Sequence, residues 1–155
     1  MSKLIWLDDE SMSISYDRDV LIPKIFGKSV KKIEFFENIN ELMAYIYQNK
    51  KLINDNDIFI IDIMLTLEKH ILLPDSTKIS IPDNLMAGAT LYTEYLKNTF
   101  PKNPTILYTS REHNEELFQN ILNDTRYEDT LYLIDKWKKD TTFIQTLKKF
   151  IGEEK

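Results

Sequence analysis

Apolar runs of strand length alternate along this chain with segments whose apolar residues recur at helical spacing, the pattern of an α/β fold built on a mainly parallel sheet. Five runs predict strands: Lys3 to Leu7, Lys31 to Phe36, Ile58 to Asp62, Thr105 to Thr109 and Leu131 to Ile134. Five helices are predicted between and after them. The first covers roughly Asp19 to Phe26, where Pro23 removes a backbone donor and kinks or shortens it. In the second, Asn38 with Glu41 three residues on makes a capping-box-like start, and Leu42, Tyr45 and Ile46 share one face. The third, about Asn84 to Lys97, carries Leu91, Tyr92, Tyr95 and Leu96. A fourth begins near Ser110, with Glu112, Glu115 and Glu116 in its first turns, where the helix dipole favours acids. In the fifth, Asp140 to Ile151, one apolar face is formed by Phe143, Ile144, Leu147, Phe150 and Ile151. Alternation of this kind predicts a doubly wound five-stranded parallel sheet.

One segment breaks the rhythm. Between Asp62 and the third helix stand about twenty residues, where about two to six are usual. Within this insertion, about 66–86, two apolar runs flank Pro74, Asp75, Ser76 and Thr77, which predicts a β-hairpin with a Pro-led turn, a small flap beside the strand ends.

Composition narrows the picture. A chain of 155 residues is the size of one domain, so residues 1–155 are read as a single unit. No apolar run is long enough to span a bilayer, and the N-terminus turns acidic too early for a secretory signal, which predicts a cytoplasmic protein without membrane insertion. Without cysteine there is neither a disulfide framework nor thiolate chemistry. A formal net charge of −5 argues against direct nucleic-acid binding, which depends on clustered Lys and Arg.

Candidate chemistry lies at the carboxyl ends of the strands, where doubly wound sheets bind their ligands. Those ends carry Asp8, Asp9 and Glu10, then Asp62, then Thr109 and Ser110, then Asp135 and Lys136. Each has an ordinary reading alone: a solvated helix start, a capping residue, a surface lysine. Together they bring several carboxylates to one edge, where they repel one another unless a cation intervenes. A hard divalent ion with oxygen ligands, Mg²⁺ foremost, meets that demand.

The pieces LIWLDDE, FIIDIML, PTILYTS and LYLIDK, in this order between about Lys3 and Ile151, resemble the receiver domains of response regulators in two-component signalling. The resemblance implies a flavodoxin-like fold with strand order 2-1-3-4-5. It implies a phosphoprotein in which Asp62 accepts a phosphoryl group from a histidine kinase or a phosphorelay phosphotransfer protein. Asp9 would bind Mg²⁺ directly, Asp8 largely through water, Asp62 through its carboxylate and Met64 through its backbone carbonyl. Thr109 would move onto the phosphoryl group, and Lys136 would pair with one of its oxygens. Such a protein is no enzyme beyond catalysing its own phosphorylation and dephosphorylation.

The chain ends soon after the fifth helix, which predicts a single-domain regulator whose output passes through a separate effector protein, by resemblance at the face of the fourth helix, fifth strand and fifth helix. It departs from the family's pattern at Trp137 and Thr66, where prolines are usual, at Leu133, where an aromatic residue is common, and in the insertion. Two further readings stay open. One is a receiver-like adaptor that binds partners constitutively without phosphorylation. The other is a Mg²⁺-dependent phosphohydrolase using Asp62, although Met64 stands where many aspartate-nucleophile phosphatases carry a second acid.

Overall fold

Side chains alternate between the two faces of a strand, so each apolar run feeds two cores at once. In β1 (Ser2–Leu7), Leu4 and Trp6 join one core while Ile5 and Leu7 join the other, and all four are buried. In β3 (Ile58–Ile61), Ile58 and Ile60 likewise share the Trp6 side, and Phe59 and Ile61 share the Leu7 side. The computed structural model describes residues 1–65, 69–81, 87–109, 130–136 and 142–151.

With β2 (Val30–Phe36), β6 (Thr105–Thr109) and β7 (Leu131–Asp135), these strands form one five-stranded parallel sheet in the order β2-β1-β3-β6-β7. In chain numbering this is 2-1-3-6-7 and not the expected 2-1-3-4-5. The difference arises because β4 (His70–Leu72) and β5 (Lys78–Ser80) pair antiparallel as a separate two-stranded sheet. At the turn between them, Leu73 N–H donates to Thr77 O, Thr77 N–H donates to the Asp75 carboxylate, and Ser76 takes a positive φ of 69°. This pair lies on a helix: Ile71 is buried in the core containing Leu42, Met43 and Ile46 of α2 (Ile39–Asn49), and the Tyr47 hydroxyl donates to Leu72 O.

Helices cover both faces. On the Leu7 side lie α2 and a helical run that begins as α3 (Ala87–Leu91), widens into a π-helical turn over Tyr92–Leu96 and ends as α4 (Lys97–Thr99). Opposite them, the Trp6 side packs on α1 (Ile22–Phe26) through Ile22 and Phe26, and on α5 (Thr142–Ile151) through Phe143 and Leu147. The first helical segment starts earlier than expected, with a π-helical turn over Asp17–Leu21 before α1. Pro23 stands inside this continuous helical run, just after the π-helical turn, where a residue without an N–H cannot continue the regular bonding pattern. Asn38 caps α2 by accepting from Glu41 N–H at 2.9 Å. The expected fourth helix, with Ser110, Glu112, Glu115 and Glu116, lies outside the described residues, as do Thr66, Trp137 and the start of the fifth helix at Asp140. Among the described residues, no helix is long and apolar enough to cross a membrane.

At the amino ends of the strands a buried carboxylate ties two strands together. Asp57 Oδ1 accepts from Lys3 N–H and Oδ2 from Asn54 N–H, both at 2.9 Å, with Lys3 Nζ 3.6 Å away. Asn103 Nδ2 donates to the carbonyls of Asn54 and Asp57 beside it. Because Asp57 is only 1% exposed, Asp57→Ala leaves two backbone N–H groups without their acceptor and is expected to cost about 3 kcal/mol. Urea unfolding should show a lower midpoint at unchanged slope; a midpoint equal to the native one would show that water replaces the carboxylate without loss.

Candidate functional site

Register brings the strand ends level. Phe36, Leu7 and Ile61 form one row across the sheet, which continues through Leu107 and Leu133. Asp8 and Asp62 each stand one residue past that row, and the backbone holds them there. Asp8 N–H donates to Phe36 O at 3.0 Å, and Asp62 N–H donates to Leu7 O at 2.8 Å. The strand therefore ends at Ile61, and Asp62 begins the loop while still tied to β1. Continuing the alternation of Trp6, Ile60 and Ile134, the side chains of Asp8, Asp62 and Lys136 share the α1 and α5 side.

There they meet. Lys136 Nζ lies 2.7 Å from Asp8 Oδ2 and 3.3 Å from Asp62 Oδ2. Asp8 Oδ1 accepts from Glu10 N–H at 2.8 Å, which turns the chain out of β1. Asp8, Asp9 and Asp62 each offer a carboxylate oxygen within 4.8 Å of the others. Asp8 and Asp62 are buried and Asp9 is half-buried. Burial pushes the Asp62 carboxyl up to about 7; Lys136 opposes the rise, and Asp8 and Asp9 reinforce it. For Lys136, burial works against the ammonium, but the Asp62 and Asp8 carboxylates outweigh it and hold its pKa above the ordinary lysine value.

This arrangement fits a divalent cation. Its donors are hard oxygens, and Asp8 Oδ2 is buried without a hydrogen bond, since its 2.7 Å approach to Lys136 is an ion pair of poor hydrogen-bond geometry. Among the described residues three carboxyl groups share one ammonium, and an added cation would offset the repulsion among them.

Other expected members of the site are positioned by the backbone. Thr109 ends β6 opposite Asp135 at the end of β7, two residues past the common row. Met64 lies in the loop two residues after Asp62 and is half-buried. That loop is braced from α3, where Gly88 N–H donates to Ile63 O at 2.8 Å.

Three residues beside the site escaped the sequence reading. Gly88 packs directly on the backbone of Asp62 and Ile63, a role hinted at only by three small residues, Ala87, Gly88 and Ala89, within a helical pattern. Tyr108 stacks on Phe143 with ring centroids 4.3 Å apart, and its hydroxyl donates to Asp17 Oδ2 at 3.1 Å. A tyrosine in a strand and an aspartate 91 positions away carry no shared local signal. Set against protein-family models, curated proteins and solved structures, the chain has no match.

Proposed function

We propose that this chain is a receiver domain of the response-regulator type, with a flavodoxin-like fold, that accepts a phosphoryl group on Asp62. Its donor would be a phosphohistidine of a histidine kinase or phosphotransfer protein, and its output a separate effector protein in the cytoplasm. One observation carries the reading: Lys136 joins Asp8 and Asp62 at 2.7 and 3.3 Å, with Asp9 in the same cluster of oxygens. A lysine and three acids from three separated segments meet in one cluster, and that meeting supports the reading.

The chemistry follows from charge. Asp62 must be ionised to act as the nucleophile, and Lys136 is the group that favours its ionised form. One Asp62 oxygen attacks phosphorus while the bond from phosphorus to the donor's imidazole nitrogen breaks, leaving the electron pair on that nitrogen. Positioning and charge neutralisation carry most of such a transfer. Mg²⁺, held by Asp8, Asp9, Asp62 and the Met64 carbonyl, would neutralise charge on the phosphoryl oxygens. Lys136 pairs with one of those oxygens once the acyl phosphate has formed. Thr109, at the end of β6, moves toward the new dianion and shifts the edge of the sheet that meets the partner.

Intact mass after incubation with acetyl phosphate and Mg²⁺ tests the reading. A single phosphoryl adduct is expected in the native protein, and none in Asp62→Asn or with a chelator present. A folded native protein that binds Mg²⁺ yet takes up no phosphoryl group from acetyl phosphate or from histidine kinases would leave the constitutive adaptor as the better reading.

A further inference from the structure

Lys136 borders two acidic places. On one side its ammonium lies against Asp8 and Asp62. On the other it lines a cavity of about 70 Å³ together with Glu10, Ser13, Ile14, Asp17 and Tyr108. The lysine side chain is 7% exposed, and its Nζ makes no hydrogen bond of good geometry where it now stands. An ammonium group is close in size to a water molecule, for which a cavity of about 15 Å³ is enough, so the cavity can receive it.

Two carboxylates face that cavity, Glu10 at its exposed rim and Asp17 deeper in. Asp17 is held in place, because the Tyr108 hydroxyl donates to its Oδ2 while the Tyr108 ring is fixed by Phe143. Arg18, the next residue, pairs with Asp19 through Nε and Nη2 and with Ser11 through Nη1.

The next step rests on the reading that Asp8, Asp9 and Asp62 take a divalent cation. With such an ion on these carboxylates, the ammonium is repelled from the oxygens it now holds. We infer that Asp17, oriented by Tyr108, is a positioning residue for Lys136: it gives the ammonium a second seat in the cavity when the carboxylate cluster binds a divalent cation. The move uncovers the Asp62 oxygen at which the phosphoryl group arrives, and Lys136 then returns to pair with the phosphoryl group.

Calorimetric titration with MgCl₂ tests this in four proteins: native, Asp17→Asn, Lys136→Gln and the double variant. Asparagine keeps an oxygen for the Tyr108 hydroxyl, removes the charge and exchanges the other oxygen for an amide group. The expected result is that Asp17→Asn weakens Mg²⁺ binding about fivefold in the native background and leaves it nearly unchanged in Lys136→Gln. An equal loss in both backgrounds would mean that Asp17 acts on the ion through its own field, and the second seat would be refuted. As a direct readout, the ¹³Cε signal of Lys136 should shift on adding Mg²⁺ to the native protein and shift less in Asp17→Asn; a signal that stays put overturns the inference. Equal losses in a protein whose Asp62 still takes a phosphoryl group would remove the seat and leave the receiver reading intact, whereas a native protein that binds no Mg²⁺ removes both.

Discussion

On the proposed receiver reading, Lys136→Met is expected to move two properties of the site in opposite directions: Mg²⁺ binds more tightly, and phosphorylation of Asp62 by acetyl phosphate slows by about a hundredfold. Methionine keeps the length and apolar bulk of the stem and deletes the charge. The ammonium now shares the oxygens of Asp8 and Asp62, so its loss frees them for the cation. During transfer, negative charge gathers on the phosphoryl oxygens, and the variant lacks the ammonium that lies against Asp62. A merely structural lysine would lower both quantities together. Mass spectra against time at saturating Mg²⁺, set beside a calorimetric titration, separate the cases; an unchanged rate would remove Lys136 from the chemistry.

The same substitution has a consequence for pH. In the metal-free protein, burial lifts the Asp62 carboxyl from 3.8 to about 7, with Lys136 holding it below where burial alone would take it. Between those values the folded chain binds more proton at this position than the unfolded chain does, so this group's contribution to stability falls as pH rises through the window. Without Lys136 the upper edge of the window moves higher. The Asp8 carboxylate also loses its ion-pair partner in a buried place, a change that costs about 3 kcal/mol. Added Mg²⁺ should recover part of that loss.

Much of this site was legible because strand ends are legible. Asp8, Asp62 and Lys136 each follow an apolar run whose length marks a strand, and a parallel sheet brings such ends to one edge. Which side of the sheet they share also follows from alternation, since Trp6, Ile60 and Ile134 precede them by two residues. Contacts between distant segments were not legible. Tyr108 lies within a predicted strand with no sign of a polar role, and its hydroxyl reaches Asp17 because the π-helical turn at Asp17–Leu21 carries that carboxylate over the sheet. Asp57 shows the same limit at the other end of the strands. In the run Asp57 to Leu65 it looks like a polar border, and only the fold reveals that it bonds the backbone of Lys3 and Asn54. The two-stranded pair β4 and β5 follows from Ile71 and Ile79 flanking a turn, whereas its seat on α2 depends on Tyr47, far away in sequence.

Gly88→Ala joins stability to the site, and it should damage both. A glycine in a helix is ordinarily a weakness, and alanine there would gain about 1 kcal/mol from helix propensity. Here the sign reverses. A Cβ on Gly88 would lie 1.9 Å from the Asp62 carbonyl oxygen, 2.8 Å from the Asp62 carbonyl carbon and 2.9 Å from Ile63 Cα. All three are backbone atoms, so no side chain can turn aside, and either α3 or the loop after β3 must retreat. Retreat breaks the bond from Gly88 N–H to Ile63 O and carries Asp62 away from Asp8 and Lys136. Overpacking of this kind costs about 3 kcal/mol, which exceeds the propensity gain and leaves a net loss of roughly 2 kcal/mol. Urea unfolding measures that loss. The same variant, checked to be folded at low temperature, should bind Mg²⁺ less tightly and take up less phosphoryl group than the native protein. Stability lost with both site properties retained would mean that the helix moves and the loop stays, so that Gly88 serves packing alone. Loss of all three places the close approach of α3 to Asp62 among the features that hold the carboxylate where it can react.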